Sequence, residues 1–168
     1  KVEEPKAMTA EEIKALIELA NEGFVDIAAV GNEVMYRKDL SEDELLEYIA
    51  KVKNEIPSHI PVGYVDAYYE FTIKPRITEA CDVILTNCYP YWEGSNQDHA
   101  LAHMKSMYYQ AKSAAQGKKV IITETGWPSQ GECFKDSHPS KENAMKYFIN
   151  TQLWSKASNI DIFYFSSF

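Results

Sequence analysis

The chain has 168 residues, of which 45% are hydrophobic and 25% are charged, and its formal net charge is −8. This composition is typical of one soluble globular domain, and it excludes a disordered or fibrous chain. The negative charge would repel a phosphate backbone, so we expect no nucleic-acid partner. No stretch approaches the ~18 apolar residues of a membrane span, and residues 1–9 lack the apolar core of a signal peptide.

Helices are predicted where a capping signal precedes apolar residues spaced three and four positions apart. Thr9 stands three residues before Glu12, and Ser41 stands three residues before Glu44, so both pairs have the spacing of a capping box. In chain order the predicted helices cover residues 9–22, 41–54, 96–116 and 140–156, with a shorter irregular or helical stretch at 75–80.

Short apolar runs alternate with these helices and predict strands that are buried on both faces. In chain order the runs cover residues 24–30, 60–67, 81–88, 119–123 and 160–165. Strict alternation of strand and helix predicts parallel pairing with right-handed crossovers. The pattern alone leaves two architectures open, an open doubly wound sheet and a closed barrel. We predict one domain over residues 1–168, with about five units where a complete eight-unit barrel needs about 250 residues.

In parallel α/β folds the ligand site forms at the carboxyl ends of the strands. The residues that follow the predicted strands are polar and aromatic: Asn32 and Glu33, then Asp66 and Tyr68, then Asn87, Tyr89, Tyr91 and Trp92, then Glu124 and Trp127, and finally Ser166, Ser167 and Phe168. Glu33 and Glu124 are therefore predicted to lie at the same end of the sheet.

Such a pair of carboxyl groups is what cleavage of a glycosidic bond requires. One carboxylic acid protonates the leaving oxygen, and one carboxylate attacks or stabilises the anomeric carbon. Aromatic rings stack on sugar faces, and we assign that role to four side chains of the set: Tyr89, Tyr91, Trp92 and Trp127. Asn32 would hydrogen-bond a sugar hydroxyl, and Asn87 would face the substrate while Cys88 packs in the core.

Each of these assignments has a structural alternative. The two tryptophans, Trp92 and Trp127, would also suit the core, because tryptophan is highly buried on average. Asp66 and Tyr68 fit a cleft and a purely structural role equally well.

Two motifs, AVGNEV at 29–34 and ITETGWPS at 122–129, resemble those of glycoside hydrolase family 17, the β-1,3-glucanases, β-1,3-1,4-glucanases and β-1,3-glucan transferases. The resemblance implies a (β/α)8 TIM barrel of which this chain holds about five parallel strands, four to eight, without units one to three. It implies that Asn32 and Glu33 are the acid/base pair of strand four and that Glu124 is the nucleophile of strand seven. Residues 86–92 (TNCYPYW) resemble the substrate segment of strand six, and residues 160–168 resemble strand eight.

The implied activity is retaining hydrolysis or transglycosylation of β-1,3-linked or mixed β-1,3-1,4 glucan by double displacement. A polymeric substrate predicts a secreted, cell-wall or periplasmic enzyme. Five parallel strands would leave two open edges and an exposed apolar face, so we expect a homo-oligomer or a further chain segment to complete the barrel. The alternative is a non-catalytic β-glucan-binding or structural barrel fragment. A nucleotide-using enzyme is disfavoured because no glycine-rich phosphate loop follows a strand.

Neither a cofactor nor a catalytic metal is predicted. His99 and His103 lie one helical turn apart beside Asp98, but no third ligand stands at a suitable spacing, so this segment is interpreted as a surface helix. The three cysteines at positions 81, 88 and 133 form no CxxC pair and permit at most one internal disulfide.

Overall fold

In a computed structural model, which describes residues 5–165, five strands form one parallel sheet flanked by helices. In chain order the elements are α1 (Pro5–Asn21), β1 (Ala28–Asn32), α2 (Glu42–Glu55), β2 (Val62–Ala67), α3 (Glu70–Ile73), α4 (Pro75–Ala80), β3 (Val83–Asn87), a short 3-10 turn (Tyr91–Glu93), α5 (Gln97–Ala114), β4 (Lys119–Thr125), α6 (Lys141–Ser158) and β5 (Ile162–Tyr164). The predicted site residues Ser166, Ser167 and Phe168 lie outside the described residues.

The strands pair in chain order from β1 to β5, and every pair is parallel. A doubly wound sheet reverses its strand order at a switch point, whereas an order without reversal is that of an arc of a barrel. The predicted alternation of strands and helices is confirmed, and the strand order favours the barrel over the doubly wound alternative.

The carboxyl ends of the strands are in register at one edge. Asn87 of β3 pairs with Ala67 on one side and with Glu124 on the other. The register of β3 and β4 shifts just before that pair, and the register of β1 and β2 shifts between Ala29 and Asn32. Such bulges are common near active sites, where they redirect side chains.

Two apolar clusters cover the two faces of the sheet. The larger cluster lies between the sheet and the helices and includes fully buried side chains of α2 and α5, among them Leu45, Ile49 and Met104. The smaller cluster lies on the opposite face and consists of Val65, Val83, Leu85 and Ile121, with Ile27 packed against it. Bulky, mostly branched side chains on this face are what the interior of a (β/α)8 barrel contains.

Two predicted boundaries at the N-terminal end are wrong. Helix α1 begins at Pro5, so Thr9 lies inside the helix rather than at its cap; proline suits the first helical position because its φ is already helical. Strand β1 begins at Ala28 rather than at residue 24, because Gly23 has a φ of +84° and Phe24 is exposed. By contrast, the capping box of Ser41 and Glu44 is confirmed at the start of α2.

All three cysteines are free thiols. Burial raises the pKa of Cys81 to about 11 and that of Cys88 to about 12, which keeps both protonated. Within residues 5–165, no group of three His, Cys, Asp or Glu side chains is arranged to hold a metal ion. Over the same residues, no helix combines the length and the apolar character needed to cross a bilayer.

Candidate active site

A cleft of about 500 Å³ opens at the carboxyl ends of the strands. Side chains that follow or end each of the five strands contribute to it, and its lining consists of Glu33, Tyr36, Ala67, Tyr68, Tyr69, Asn87, Tyr89, Trp92, Glu93, Glu124 and Phe165. The two carboxylates singled out in the sequence therefore share one cleft.

Glu33 follows β1 directly and has a φ of +54°, in the left-handed region that residues other than glycine seldom adopt. Its N–H donates to the carbonyl oxygen of Val65 at 2.8 Å, which ties this turn to β2. Its Oε1 accepts a hydrogen bond from Nδ2 of Asn87 at 3.0 Å, and its Oε2 lies 3.6 Å from Nη1 of Arg37. The Glu33 side chain is 28% exposed and lines the cleft, so a ligand in the cleft can reach it.

Asn87 is nearly buried and is held by a residue of the next strand. The Oγ1 of Thr123 donates to Oδ1 of Asn87 at 2.9 Å, and this contact turns the Asn87 amide nitrogen toward Glu33. The same nitrogen lies 3.5 Å from Oδ1 of the exposed Asn32. Cys88 points the other way and belongs to the core, as the alternation of side chains along a strand predicts.

Glu124 lies in β4 and accepts a hydrogen bond at its Oε2 from the hydroxyl of Tyr89 at 2.8 Å. Burial raises the pKa of Tyr89 well above its ordinary value, and the hydrogen bond to Glu124 and the charges of both cleft glutamates raise it further. Tyr89 is therefore a protonated donor at neutral pH. This hydrogen bond holds the Glu124 carboxyl group in position within the cleft.

Asp66 differs from its prediction as a sugar ligand, because it is fully buried and absent from the cleft lining. Its carboxylate accepts hydrogen bonds from the Tyr64 hydroxyl and from the N–H groups of Tyr36 (3.3 Å) and Ala67 (2.7 Å). The Tyr64 hydroxyl also accepts from the N–H of Met35 at 2.9 Å. Burial raises the pKa of Asp66 although these hydrogen bonds oppose the shift. The structure places Asp66 behind the cleft, where it holds the segment that follows Glu33.

The predicted aromatic platform divides into two groups. Trp92 is 64% exposed at the mouth of the cleft, and Tyr68 and Tyr89 line its wall. Tyr91 and Trp127 are largely buried and do not line this cleft, although both line an adjoining groove. Their ring centroids lie 5.2 Å apart, and their planes are nearly perpendicular. The Tyr91 hydroxyl and the Trp127 N–H both donate to backbone carbonyls, so these rings support the loops behind the cleft.

Five lining residues lie outside the predicted set of site residues: Tyr36, Ala67, Tyr69, Glu93 and Phe165. Tyr36, Tyr69 and Glu93 each lie within three positions of a predicted site residue, and the turns that follow the strands bring them back to the cleft. The proximity of Tyr68 to Glu93 is one result. Burial, then the charge of Glu93 and a hydrogen bond to it, raise the pKa of Tyr68 to about 12.

Two other grooves lie on the surface. One of about 710 Å³ adjoins the cleft and shares Tyr89, Trp92 and Phe165 with it. The other, of about 830 Å³, lies between the α3–α4 segment and α5, and none of its lining residues is a carboxylate or a histidine. Among the lining residues of these three sites, carboxyl groups therefore occur only in the first cleft.

Comparison with known proteins gives one family match and a set of relatives. Residues 2–168 match the family model described as the BtgE/BtgC glycoside hydrolase domain. The glucan 1,3-β-glucosidase BGL2 of Candida albicans is 33% identical over 139 residues, which cover 71% of this chain and 45% of that protein. The glucan 1,3-β-glucosidase of Schizosaccharomyces pombe is 29% identical over 151 residues, covering 83% of this chain and 47% of that protein. The chain thus spans about half the length of these curated relatives.

Solved structures give the same picture of the fold. Two structures of a β-1,3-glucanosyltransferase from Rhizomucor miehei are 37% identical and cover 98% of this chain and 62% of theirs. One is described as a glycoside hydrolase family 17 enzyme (TM-score 0.88), and the other is an active-site mutant in complex with laminaritriose (TM-score 0.89). An endo-laminarinase from Formosa is 19% identical with a TM-score of 0.77 over 94% of this chain and 53% of that one, which shows a shared fold alone.

Proposed function

We propose that this chain, which belongs to the family of BtgE/BtgC glycoside hydrolase domains, cleaves or transfers β-1,3-linked glucan in its cleft. In this proposal Glu33 and Glu124 are the catalytic pair. One observation carries the proposal: these carboxylates come from distant parts of the chain, line the same cleft, and each accepts a hydrogen bond from a cleft side chain, Asn87 or Tyr89. The names of the relatives supply the substrate class, since they are glucan 1,3-β-glucosidases and a β-1,3-glucanosyltransferase bound to laminaritriose.

The first step is attack by Glu124. One carboxylate oxygen of Glu124 forms a bond to the anomeric carbon while the bond from that carbon to the glycosidic oxygen breaks. The departing oxygen takes the proton of Glu33, which is left as a carboxylate. The side-chain amide of Asn87 orients Glu33 for this transfer, and the hydroxyl of Tyr89 orients the carboxyl group of Glu124 for attack.

The second step releases the sugar. Glu33 now accepts a proton from water or from a hydroxyl of a second glucan, and that oxygen bonds to the anomeric carbon as the bond to Glu124 breaks. Two inversions at one carbon give overall retention. Water as the acceptor gives hydrolysis, and a glucan as the acceptor gives transglycosylation.

The cleft suits a neutral sugar. Exposed aromatic surface from Trp92 lies beside hydroxyl, amide and carboxylate groups of the lining, and sugar rings combine an apolar face with hydroxyl edges. Because a glucan carries no charge, the net charge of −8 does not oppose its binding. We propose an extended β-1,3-glucan chain as the substrate.

We propose that the active enzyme has a closed barrel. Within the described residues, β1 and β5 each pair on one side only, and apolar side chains of α6 such as Phe148 and Leu153 are exposed. We propose that further β/α units, in the same polypeptide or in a second copy, cover these edges. We also propose that the enzyme acts outside the cell or at the cell wall, where a glucan polymer is accessible.

The test measures reducing sugar released from laminarin by the full-length protein, by Glu124→Gln and by a control, Glu47→Gln, which alters an exposed glutamate of α2. We expect Glu124→Gln to lose on the order of 10³-fold or more in kcat, as removal of one member of a catalytic unit does, and Glu47→Gln to match the parent. Equal background release by the parent and by Glu124→Gln would contradict catalysis and favour the non-catalytic glucan-binding alternative.

The roles of the two glutamates are separated by Glu124→Ala in the presence of azide. Azide can take the place of the missing nucleophile and attack the β-linked sugar once, so we expect activity to recover and the product to be an α-glycosyl azide. NMR identifies the anomer. A β-glycosyl azide would instead indicate that Glu124 acts as the acid/base.

A further inference from the structure

Glu93 is a third carboxylate of the cleft, in addition to Glu33 and Glu124. It ends the short turn that follows β3, immediately after the exposed Trp92, and about a third of its side chain is exposed to the cleft. A carboxylate beside an exposed aromatic ring can accept hydrogen bonds from the hydroxyls of a sugar that stacks on the ring.

Two polar side chains from different elements flank Glu93. The Nε2 atom of His103, on α5, lies 3.0 Å from Oε2 of Glu93. Tyr68, which follows β2, is close enough for Glu93 to raise the pKa of its hydroxyl. His103 does not line the cleft, so any effect of His103 on the substrate must pass through Glu93.

We propose that His103 is a positioning residue of the glucan site, which holds the Glu93 carboxylate from outside the cleft in the orientation that accepts sugar hydroxyls. This inference rests on the proposed function. A carboxylate has about four acceptor positions, so the contacts with His103 and Tyr68 leave room for the substrate. A glutamate side chain that is fixed before binding loses less conformational freedom when the sugar binds.

If His103 had only a structural role, its removal would change the stability of the fold rather than the affinity for glucan. Both partners are about one-third exposed, and pairs of this kind contribute little to the free energy of folding. Removal of His103 should therefore leave the melting temperature nearly unchanged and act on affinity. His99 is a matched control, because it is an exposed histidine one turn earlier on the same helix.

The experiment measures binding of laminarihexaose, which is long enough to span the cleft, by calorimetry. Every variant of the full-length protein carries Glu124→Gln so that the ligand is not consumed. We expect His103→Ala to raise Kd about fivefold, the order expected for one side chain that must be immobilised on binding. We expect His103→Gln, whose amide nitrogen can still donate near the same point, to recover the parent Kd within about twofold, and His99→Ala to match the parent.

A double-mutant cycle shows whether His103 acts through Glu93. If it does, Glu93→Ala raises Kd about tenfold or more, and adding His103→Ala to that variant raises it no further. Independent, additive losses would overturn the inference, as would a parent-like Kd for His103→Ala or a failure of His103→Gln to recover binding. If the Glu124→Gln parent itself bound no laminarihexaose, both the proposed function and this inference would be contradicted. If the parent bound normally and His103→Ala had no effect on Kd, only this inference would be contradicted.

Discussion

Each cleft glutamate of the proposed catalytic pair has one neutral donor, and both donors come from the end of β3. Asn87 donates to Glu33, and Tyr89 donates to Glu124. Positions 87 and 89 are two apart in an extended segment, so their side chains face the same side. A single strand end therefore orients both carboxyl groups, and the intervening Cys88 anchors it in the core.

Asn87→Ala removes the donor to Glu33. We expect kcat on laminarin to fall roughly 10- to 100-fold while KM changes less, because an undirected acid protonates the leaving oxygen poorly. Steady-state kinetics measure both constants. Asn54→Ala, on the exposed side of α2, is the control and should behave as the parent. An unchanged kcat for Asn87→Ala would show that the Asn87 amide is not required to orient Glu33.

Tyr89→Phe removes only the hydroxyl that donates to Glu124. We expect kcat/KM to fall about tenfold, which corresponds to one hydrogen bond to a charged group. Because the pKa of Tyr89 is raised, this donor stays protonated through neutral pH, so the loss should be the same at pH 5 and at pH 8. Tyr109→Phe, on the exposed face of α5, serves as the control. A loss that appeared at only one of the two pH values would contradict this role.

At the scale of elements, the turn after β1 is the segment on which the site depends. It carries Glu33 at a φ of +54°, and such a conformation persists only when the surroundings hold it. The contacts that hold it come from β2. The Val65 carbonyl accepts from the N–H of Glu33, the Tyr64 hydroxyl accepts from the N–H of Met35, and the Asp66 carboxylate accepts from the N–H of Tyr36. Strand β2 therefore contributes to the site from behind the cleft wall.

Tyr64→Phe tests that contribution. The change removes the hydroxyl that donates to Asp66 and accepts from Met35, and it leaves two buried polar groups without that partner. We expect the free energy of unfolding to fall by about 1–3 kcal/mol and kcat to fall at a temperature where the variant is fully folded. Denaturant unfolding and kinetics measure the two effects. Tyr108→Phe changes a buried tyrosine of α5 and should leave kcat unchanged. A folded Tyr64→Phe variant with the kcat of the parent would show that the turn after β1 does not depend on the Tyr64 hydroxyl.

At the scale of the whole molecule, the acidic chain buries carboxyl groups without full compensation. Glu70 of α3 is nearly buried, its Oε2 has no hydrogen-bond partner, and Lys74 lies 3.9 Å away. Burial raises the pKa of Glu70, the charge of Asp66 raises it further, and Lys74 opposes the shift. The pKa of Glu70 is therefore higher in the folded state than in the unfolded state, so the folded state binds this proton more tightly. The contribution of this proton to the free energy of unfolding is lost as pH rises through the folded-state pKa.

Glu70→Gln imitates the protonated group at every pH. We expect its melting temperature to exceed that of the parent by a few degrees at pH 7. This gain in melting temperature should disappear at about pH 4, where Glu70 of the parent is itself protonated. Thermal unfolding across this pH range is the measurement. Glu47→Gln should show no gain at either pH. A gain that persisted at low pH would mean that the glutamine improves packing rather than removing a charge.

The alternation of strands and helices and the position of the proposed catalytic pair could both be predicted from the sequence. Apolar runs with the right spacing identified the five strands, and the carboxyl ends of parallel strands meet at one edge, so Glu33 and Glu124 had to approach each other. The matching family and the solved structures confirm the predicted resemblance to glycoside hydrolase family 17 and the partial barrel. The start of β1 was misjudged because an apolar run shows neither the turn at Gly23 nor the exposure of Phe24.

The tertiary structure alone decided which loop residues face the cleft. Side chains in a strand alternate with a fixed period, but the turns beyond a strand have none, so Tyr91 and Trp127 turned inward while Tyr36 and Glu93 turned toward the cleft. Asp66 lies inside β2, and its side chain is buried behind the cleft. Strand order likewise depends on how the crossovers pack, which local pattern does not encode. Local sequence thus determined where each strand ends and which carboxylates stand there, and only packing between distant segments decided which neighbours surround them.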